Sequence, residues 1–214
     1  MSDTSFSCAT CGAKSCLQPD KSYPQGCMTV KAQETNLLAD ALHEFKANAQ
    51  SHAIAKAAAV VEAKHYCKAT RVEEIVHFAK AMDYKKIGIA NCIGLMKEAQ
   101  LFAKILQSAG LIPCGTACKV GRVDKPEIGI PEENKIRPGC FESMCNPILQ
   151  AKLLNEEKTD FNVIIGLCVG HDSLFIKYAE APITTLITKD RVMAHNPVGA
   201  LYTLDAYYGS LLKL

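Results

Sequence analysis

The sequence predicts an α/β domain built on a doubly wound, mostly parallel sheet of about four strands, Rossmann-like or flavodoxin-like. Two apolar runs, Lys86-Ile87-Gly88-Ile89-Ala90-Asn91 and Phe161-Asn162-Val163-Ile164-Ile165-Gly166-Leu167, have the composition of buried parallel strands. Each ends in a cysteine close to glycine, Cys92 and Cys168, and each leads into a helical pattern. That strand–turn–helix order is the unit of a doubly wound sheet, whose ligands bind beyond the carboxyl ends of the strands.

Composition sets the bounds. A chain of 214 residues makes one large domain, or one domain with a small appendage. An apolar share of 49% and a charged share of 21% are ordinary for a soluble globular protein. The net charge of +2 gives no reason to expect nucleic acid or an anionic membrane surface as partner. No apolar run reaches the ~18 residues of a membrane span. Met1–Ser7 is polar and lacks a signal-peptide core, so a cytoplasmic protein is expected. The outlying number is 11 cysteines. An odd count with no export signal points away from a disulfide framework and toward metal or cluster ligation, or thiol chemistry. Several of them are expected to be no more than small buried apolar residues.

Three segments follow from the patterning: 1–32, cysteine-rich and expected to bind metal; 33–84, helical and expected to pack on the sheet; and 85–214, the α/β domain with a strand-end cysteine site. The first carries Cys8, Cys11, Cys16 and Cys27 among Gly, Pro, Ser and Lys. A C-x2-C turn folds two thiolates to one side, and two further cysteines complete the four-sulfur set of zinc or a [4Fe–4S] cluster. So short a segment cannot build a core, so a bound metal could supply its folding free energy. Gln33–Cys67 is rich in Ala, Leu, Glu and Lys, and a break near Gln50–His52 is expected because one helix of that length is unusual. Leu37, Leu38, Ala41, Leu42 and Phe45 form its apolar stripe, and His43, His52 and His65 read as surface histidines. Thr70 and Glu73 fit a capping box opening a helix from Val72 to Met82.

In the last segment the first strand is followed by Ile93-Gly94-Leu95 and a helix from Lys97 to Ala109. The second strand, Leu111–Ala117, contains Pro113 and so belongs at an edge, and it ends at Cys118. Residues 122–138 are polar, hold three prolines, and read as a functional connection such as a lid. Asn146-Pro147 opens a helix to about Glu156, with Cys145 at its N-terminus, where free amides stabilise a thiolate. A short helix from Asp172 to Ala179, a strand Ile183–Thr188, the turn Lys189-Asp190-Arg191 and a C-terminal helix opened by Asn196-Pro197 complete the chain.

In a strand order 2-1-3-4, Cys92, Cys118 and Cys168 end three strands and Cys145 begins a helix on the same rim, so four sulfurs converge on one crevice. Chance placement would scatter them. Sulfur-only ligation selects an iron–sulfur cluster or zinc, and a site deep in a crevice fits the cluster better. Gly94, Gly166 and Gly170 are expected to border the cofactor, the last two keeping side chains away from a bulky centre. Cys168 and His171 are the candidates for a catalytic role, and Asp172 alternatively caps the short helix. Cys114 reads as core and Cys140 as a fallback for Cys145; either could replace a ligand.

Cys8-x2-Cys11-x4-Cys16, Ile89-Ala90-Asn91-Cys92-Ile93-Gly94-Leu95 and Cys118-Lys119-Val120-Gly121 together resemble one group of small proteins. Phe141-Glu142-Ser143-Met144-Cys145-Asn146-Pro147, Gly166 to Ser173 and Lys189 to Pro197 add to the likeness. The group is that of uncharacterised cysteine-rich metal-binding proteins of anaerobic bacteria and archaea, classed as a domain of unknown function. The resemblance spans nearly the whole chain. It implies metal binding through the N-terminal set and the strand-end cysteines, and it implies no particular reaction. Met28 after Cys27 departs from the proline expected there.

A competing reading is metal-free. Gly166-x-Cys168-x-Gly170-His171 also resembles the nucleophile elbow of class I glutamine amidotransferases, with Cys168 as nucleophile. It needs a histidine base, and His195 with Glu180, Asp190 or Asp205 is a poor match. It also leaves Cys92, Cys118 and Cys145 unexplained. A third reading is a binding module in which Lys119, Arg122 and Lys125 hold an anion, though a solvated loop face accounts for those charges better. The sequence thus leads to a metal or iron–sulfur protein with two four-cysteine sites, acting on a small molecule or with a redox partner. Whether it turns over a substrate is left open, and a homodimer is compatible with it.

Overall fold

The structure, a computed structural model, describes residues 7–19 and 22–214. Met1–Phe6, on which the expectation about a signal segment mainly rests, lie outside the described residues. The chain divides into two compact units, Met1–Val60 and Val61–Leu214.

The first unit holds a 3-10 turn at Ser15–Leu17, α1 (Met28–Glu34), α2 (Leu37–Ala47) and the beginning of α3 (Ala49–His65). The break expected near Gln50 falls at Asn48, which is extended at ψ 109° and whose carboxamide oxygen accepts the Ser51 amide at 3.0 Å. Asparagine competes well for backbone amides, which is why the long helical pattern breaks there. A second break falls at Asn36, which takes φ 59°, a conformation asparagine tolerates better than most residues.

In the second unit α4 (Arg71–Ala81) starts on the expected capping box. The Thr70 amide donates to the Glu73 carboxylate at 2.7 Å, and the Glu73 amide donates back to the Thr70 hydroxyl. Then follow β1 (Lys86–Asn91), α5 (Met96–Ser108), β2 (Ile112–Ala117), α6 (Pro147–Glu156), β3 (Phe161–Ile165), α7 (His171–Tyr178), β4 (Ile183–Ile187) and α8 (Val198–Tyr202). The four strands form one parallel sheet in the order β2-β1-β3-β4. β1 and β3 are the inner strands and are buried almost throughout, as their unbroken apolar runs require. β2 lies at an edge, where the missing amide of Pro113 costs no ladder bond.

The core gathers Ile87, Ile89, Val163, Ile164 and Ile165 from the sheet with Ile75, Phe102, Leu106, Leu154 and Phe175 from the helices. α5 and α6 both pack on β1 and β2, and α6 also packs on α7. One polar residue is threaded through this core. Asn162, fully buried on β3, accepts a hydrogen bond from the Thr159 hydroxyl at 2.8 Å. Its carboxamide occupies the space above Gly88 on β1, where a Cβ would come within 1.9 Å of Asn162 Oδ1.

The C-terminal helix is shorter than expected. α8 ends at Tyr202, and the chain continues through turns to a 3-10 segment at Gly209–Lys213. The Thr203 hydroxyl bonds back to the Gly199 carbonyl at 2.8 Å, and Leu201, Tyr202, Tyr207 and Leu212 remain exposed. Without a packed apolar face, helical propensity alone does not hold so short a helix together. No helix among the described residues is long and apolar enough to cross a membrane.

The proline-bearing connection is ordered by charge rather than by an apolar period. Asp124 opens a 3-10 turn at Lys125–Ile128, and a second lies at Glu132–Asn134. The Lys135 side chain, 2% exposed, reaches Glu132 at 2.6 Å, Asp124 at 3.2 Å and the Cys140 carbonyl at 3.0 Å. Glu142 pairs with Lys125 at 2.5 Å and accepts the amides of Ile136 and Arg137. The Glu142 amide lowers the pKa of Asp124, Lys135 lowers that of Glu132, and Lys125 lowers that of Glu142.

Gly88→Ala should destabilise the domain by about 1–3 kcal/mol through overpacking against Asn162, with a lower denaturation midpoint. Gly115→Ala on β2, which meets nothing within 4 Å, should move it far less. Equal effects would show that Asn162 does not occupy that space. Carboxylates with depressed pKa values stabilise most above their ordinary value of about 4. That contribution disappears as pH falls through the depressed values. Amide exchange at Ile136 and Arg137 should therefore speed up below about pH 4, relative to intrinsic rates, while the amides of β1 and β3 stay protected.

Candidate functional site

The backbone ladder runs past the last residues of β1 and β2 and into their cysteines. The Cys92 amide donates to the Ile165 carbonyl at 3.0 Å, and the Cys118 amide to the Asn91 carbonyl at 2.8 Å. The Cys118 carbonyl in turn accepts the Asn146 amide at 2.7 Å, which fixes the start of α6 beside it. From α6, the Gln150 carboxamide donates to the carbonyls of Thr116 and Asn91 at 2.6 and 3.3 Å, tying together the ends of β2 and β1. Beyond β3, the Cys168 carbonyl accepts the amides of His171 and Asp172 and so starts α7.

These constraints bring Cys92, Cys118, Cys145, Cys168 and His171 to the lining of one cavity of about 500 Å³. Cys118 lies at the middle of the group. Its sulfur is 3.7 Å from that of Cys145 and accepts the Ile93 amide at 3.3 Å. Its contacts with the Cys145 and Cys92 sulfurs, together with burial, push its pKa up. The neighbours move the other way. The Cys118 hydrogen bond, aided by the Gly94 amide and Lys189 and opposed by burial, lowers Cys92 to about 5. Cys118 and then His171 and Lys119, again against burial, lower Cys145 to about 4. His171 is raised by the same Cys145 contact, which outweighs its burial. The crevice thus favours the ionised forms of Cys92 and Cys145 and the protonated forms of Cys118 and His171. Cys168 accepts a hydrogen bond from the Arg191 guanidinium at 3.0 Å.

The expected glycines play three different parts. A Cβ on Gly94 would come 3.6 Å from Lys189 Nζ and 3.9 Å from the Cys92 sulfur, so this glycine borders the cavity directly. Gly166 has φ 65°, and a Cβ there would meet Leu95 at 1.9 Å, so it makes room for the core. Gly170 has φ 84° and open space around it, and it precedes the first turn of α7.

Of the other cysteines, Cys8, Cys11 and Cys27 border one hollow of about 250 Å³ in the first unit. Cys16 sits on the adjoining 3-10 turn and is not part of that border. Burial raises the Cys27 pKa, but the Thr29 amide and hydroxyl and the Val30 amide lower it further, and the balance is a lowered value. Cys114 is half-buried on β2, away from the strand-end cavity, and Cys140 is exposed on the connection. Among the described residues, no group of three or more His, Cys, Asp or Glu side chains is drawn tightly enough together to grip a metal ion as it stands. His195 is not on the cavity lining; its Nδ1 accepts the Asp190 amide at 3.1 Å.

Sequence reasoning gave no role to Lys189 and Arg191, yet both line the cavity. Their position just after the fourth strand, on the rim where the cysteines collect, was the available signal. His171 lies beside Cys168 as expected, its amide on the Cys168 carbonyl, and its imidazole also engages Cys145.

A family model described as a protein of unknown function, DUF1847, matches residues 27–186. The chain is also similar to the uncharacterized protein MJ0455 of Methanocaldococcus jannaschii, at 49% identity over 177 residues, covering 83% of this chain and 89% of the relative. No solved structure matches. Cys92, Cys118, Cys145, Cys168 and Cys27 lie within the matched residues, while Cys8, Cys11 and Cys16 precede them. With three quarters of its length matched by one model and a relative of this identity, the chain belongs to the DUF1847 family.

Proposed function

We propose that the strand-end crevice holds a thiolate-ligated metal centre, an iron–sulfur cluster in preference to zinc, with Cys92, Cys118, Cys145 and Cys168 as ligands. The observation that carries this reading is the arrival of four cysteines from four separate chain segments at one cavity. The donor chemistry fits. Four sulfurs form a soft set suited to iron–sulfur clusters and zinc, and two of them are poised as the thiolates that ligation requires. Lys119, Lys189 and Arg191 on the lining offset the charge of such a centre. The preference for a cluster rests on the depth and size of the crevice, about 500 Å³. The 3.7 Å between the Cys118 and Cys145 sulfurs is close to what four sulfurs at about 2.3 Å from a zinc ion require, and a cluster would hold them further apart.

When bound, such a cluster supplies electron transfer or a Lewis-acidic iron. The chain's own residues do the rest. His171 holds a proton beside Cys145, and the Arg191 guanidinium stands against Cys168. Ile128, Ile130 and Ile136 of the charge-ordered connection add apolar surface to the crevice lining. The reading extends to Cys8, Cys11, Cys16 and Cys27 as a second, N-terminal centre, supported by three of them sharing one hollow. A reducing, cytoplasmic setting suits so many free thiols, and a small molecule or redox protein would be the partner.

Anaerobically purified protein should contain about four iron and four acid-labile sulfide per chain for the strand-end centre, or about eight of each with both centres filled. Cys92→Ser with Cys118→Ser should remove about four of each, and Cys8→Ser with Cys11→Ser the remainder. One zinc per site without visible absorbance would replace the cluster with zinc. Metal-free protein with a glutaminase activity abolished by Cys168→Ala would sink the metal reading in favour of a cysteine nucleophile.

A further inference from the structure

The cavity is larger and more varied in chemistry than ligation alone requires. The connection contributes Ile128, Ile130 and Ile136 to the same lining. Ile128 and Ile136 border the cavity while remaining 57% and 84% exposed, and Ile93 from the β1 end is 48% exposed. Exposed branched side chains turned toward one concavity mark a surface that something apolar covers. The rim also has an excess of cations. Lys119, Lys125, Lys189 and Arg191 line it, against the single carboxylate Glu142, which is committed to Lys125 at 2.5 Å. Lys119 is bonded to the Ser143 carbonyl. Lys189 and Arg191 remain, from the turn after β4, set against Cys92 and Cys168. Arg191 gives Cys168 one N–H of its five, which leaves donors in a planar fork suited to a carboxylate.

We propose that the strand-end crevice binds a small organic monoanion, a carboxylate with a short hydrocarbon body, in addition to the thiolate centre. The carboxylate sits on Arg191 and Lys189, and the hydrocarbon lies against Ile93, Ile128 and Ile136. This deepens the metal-centre reading and rests on it: Arg191 and Lys189, which offset the charge of the centre, keep N–H donors beyond their contacts with the sulfurs for the ligand. A single negative charge matches two cations beside a centre that is itself anionic. A phosphate dianion would exceed that balance.

The test is calorimetric titration of the full chain, with metal content measured on the same sample, using acetate, butyrate, hexanoate, 1-hexanol, hexylamine and inorganic phosphate. Affinity should rise about fourfold per added methylene from acetate to hexanoate. Hexanol, hexylamine and phosphate should bind at least about tenfold more weakly than hexanoate, the factor expected for one charge-assisted hydrogen bond. Arg191→Gln and Lys189→Met, compared at equal metal content, should each weaken hexanoate about tenfold or more. Ile136→Ser should flatten the chain-length dependence and leave acetate unchanged. Metal-loaded protein that binds hexanoate no better than acetate, or no better than hexylamine, overturns this site and leaves the metal centre standing. Metal-free protein overturns the centre, and the same titration on it then decides the carboxylate site separately.

Discussion

A parallel sheet delivers the carboxyl ends of all its strands to one rim, and this protein's site depends on that constraint. The ladder does not stop at Asn91, Ala117 and Ile165. Amides of Cys92 and Cys118 continue it by one residue each, so the two sulfurs inherit the positional precision of the sheet. A thiol on a free loop would have to be ordered on binding, at a cost in conformational entropy that these positions have already met. The inner position of β1 and β3 strengthens the effect, because a strand buried on both faces cannot shift register without exposing its apolar run.

The helices add a second layer of support at the same rim. α6 begins where the Cys118 carbonyl accepts the Asn146 amide, and Gln150 one turn later secures the ends of β1 and β2. Cys145 and His171 are brought together by the starts of two different helices, α6 and α7, which pack on one another. A substitution deep in that helix contact would therefore be felt as a displaced thiolate, at a distance from any sulfur.

Much of this was legible in the chain. Strand order, the edge position of β2, the Thr70–Glu73 capping box and the gathering of Cys92, Cys118, Cys145 and Cys168 all follow from patterning, because periodicity, proline and capping act locally. What escaped is set by long-range pairing. The contact of the His171 imidazole with Cys145 depends on how two helices pack, which spacing within either one does not encode. The 122–138 connection read as structureless because its order comes from Lys135, Asp124, Glu132 and Glu142, charges whose pairing leaves no apolar period. Lys189 and Arg191 looked like ordinary turn residues until the fourth strand was placed. Gly166 drew attention as neighbour of a cysteine, while its surroundings show a packing role under Leu95.

The order in which the chain leaves the ribosome adds a temporal consequence. β1 lies between β2, which follows it closely, and β3, which emerges only after the long connection and α6. When Cys92, Cys118 and Cys145 have all been synthesised, the pocket still lacks its inner neighbour, and β1 has an unsatisfied edge. Non-local pairing of this kind is slow compared with helix formation. The four thiols become a set only when β3 pairs with β1, so during synthesis they pass through a period as separate, reactive groups. Any cofactor that needs all four can be loaded only late, on a nearly complete chain.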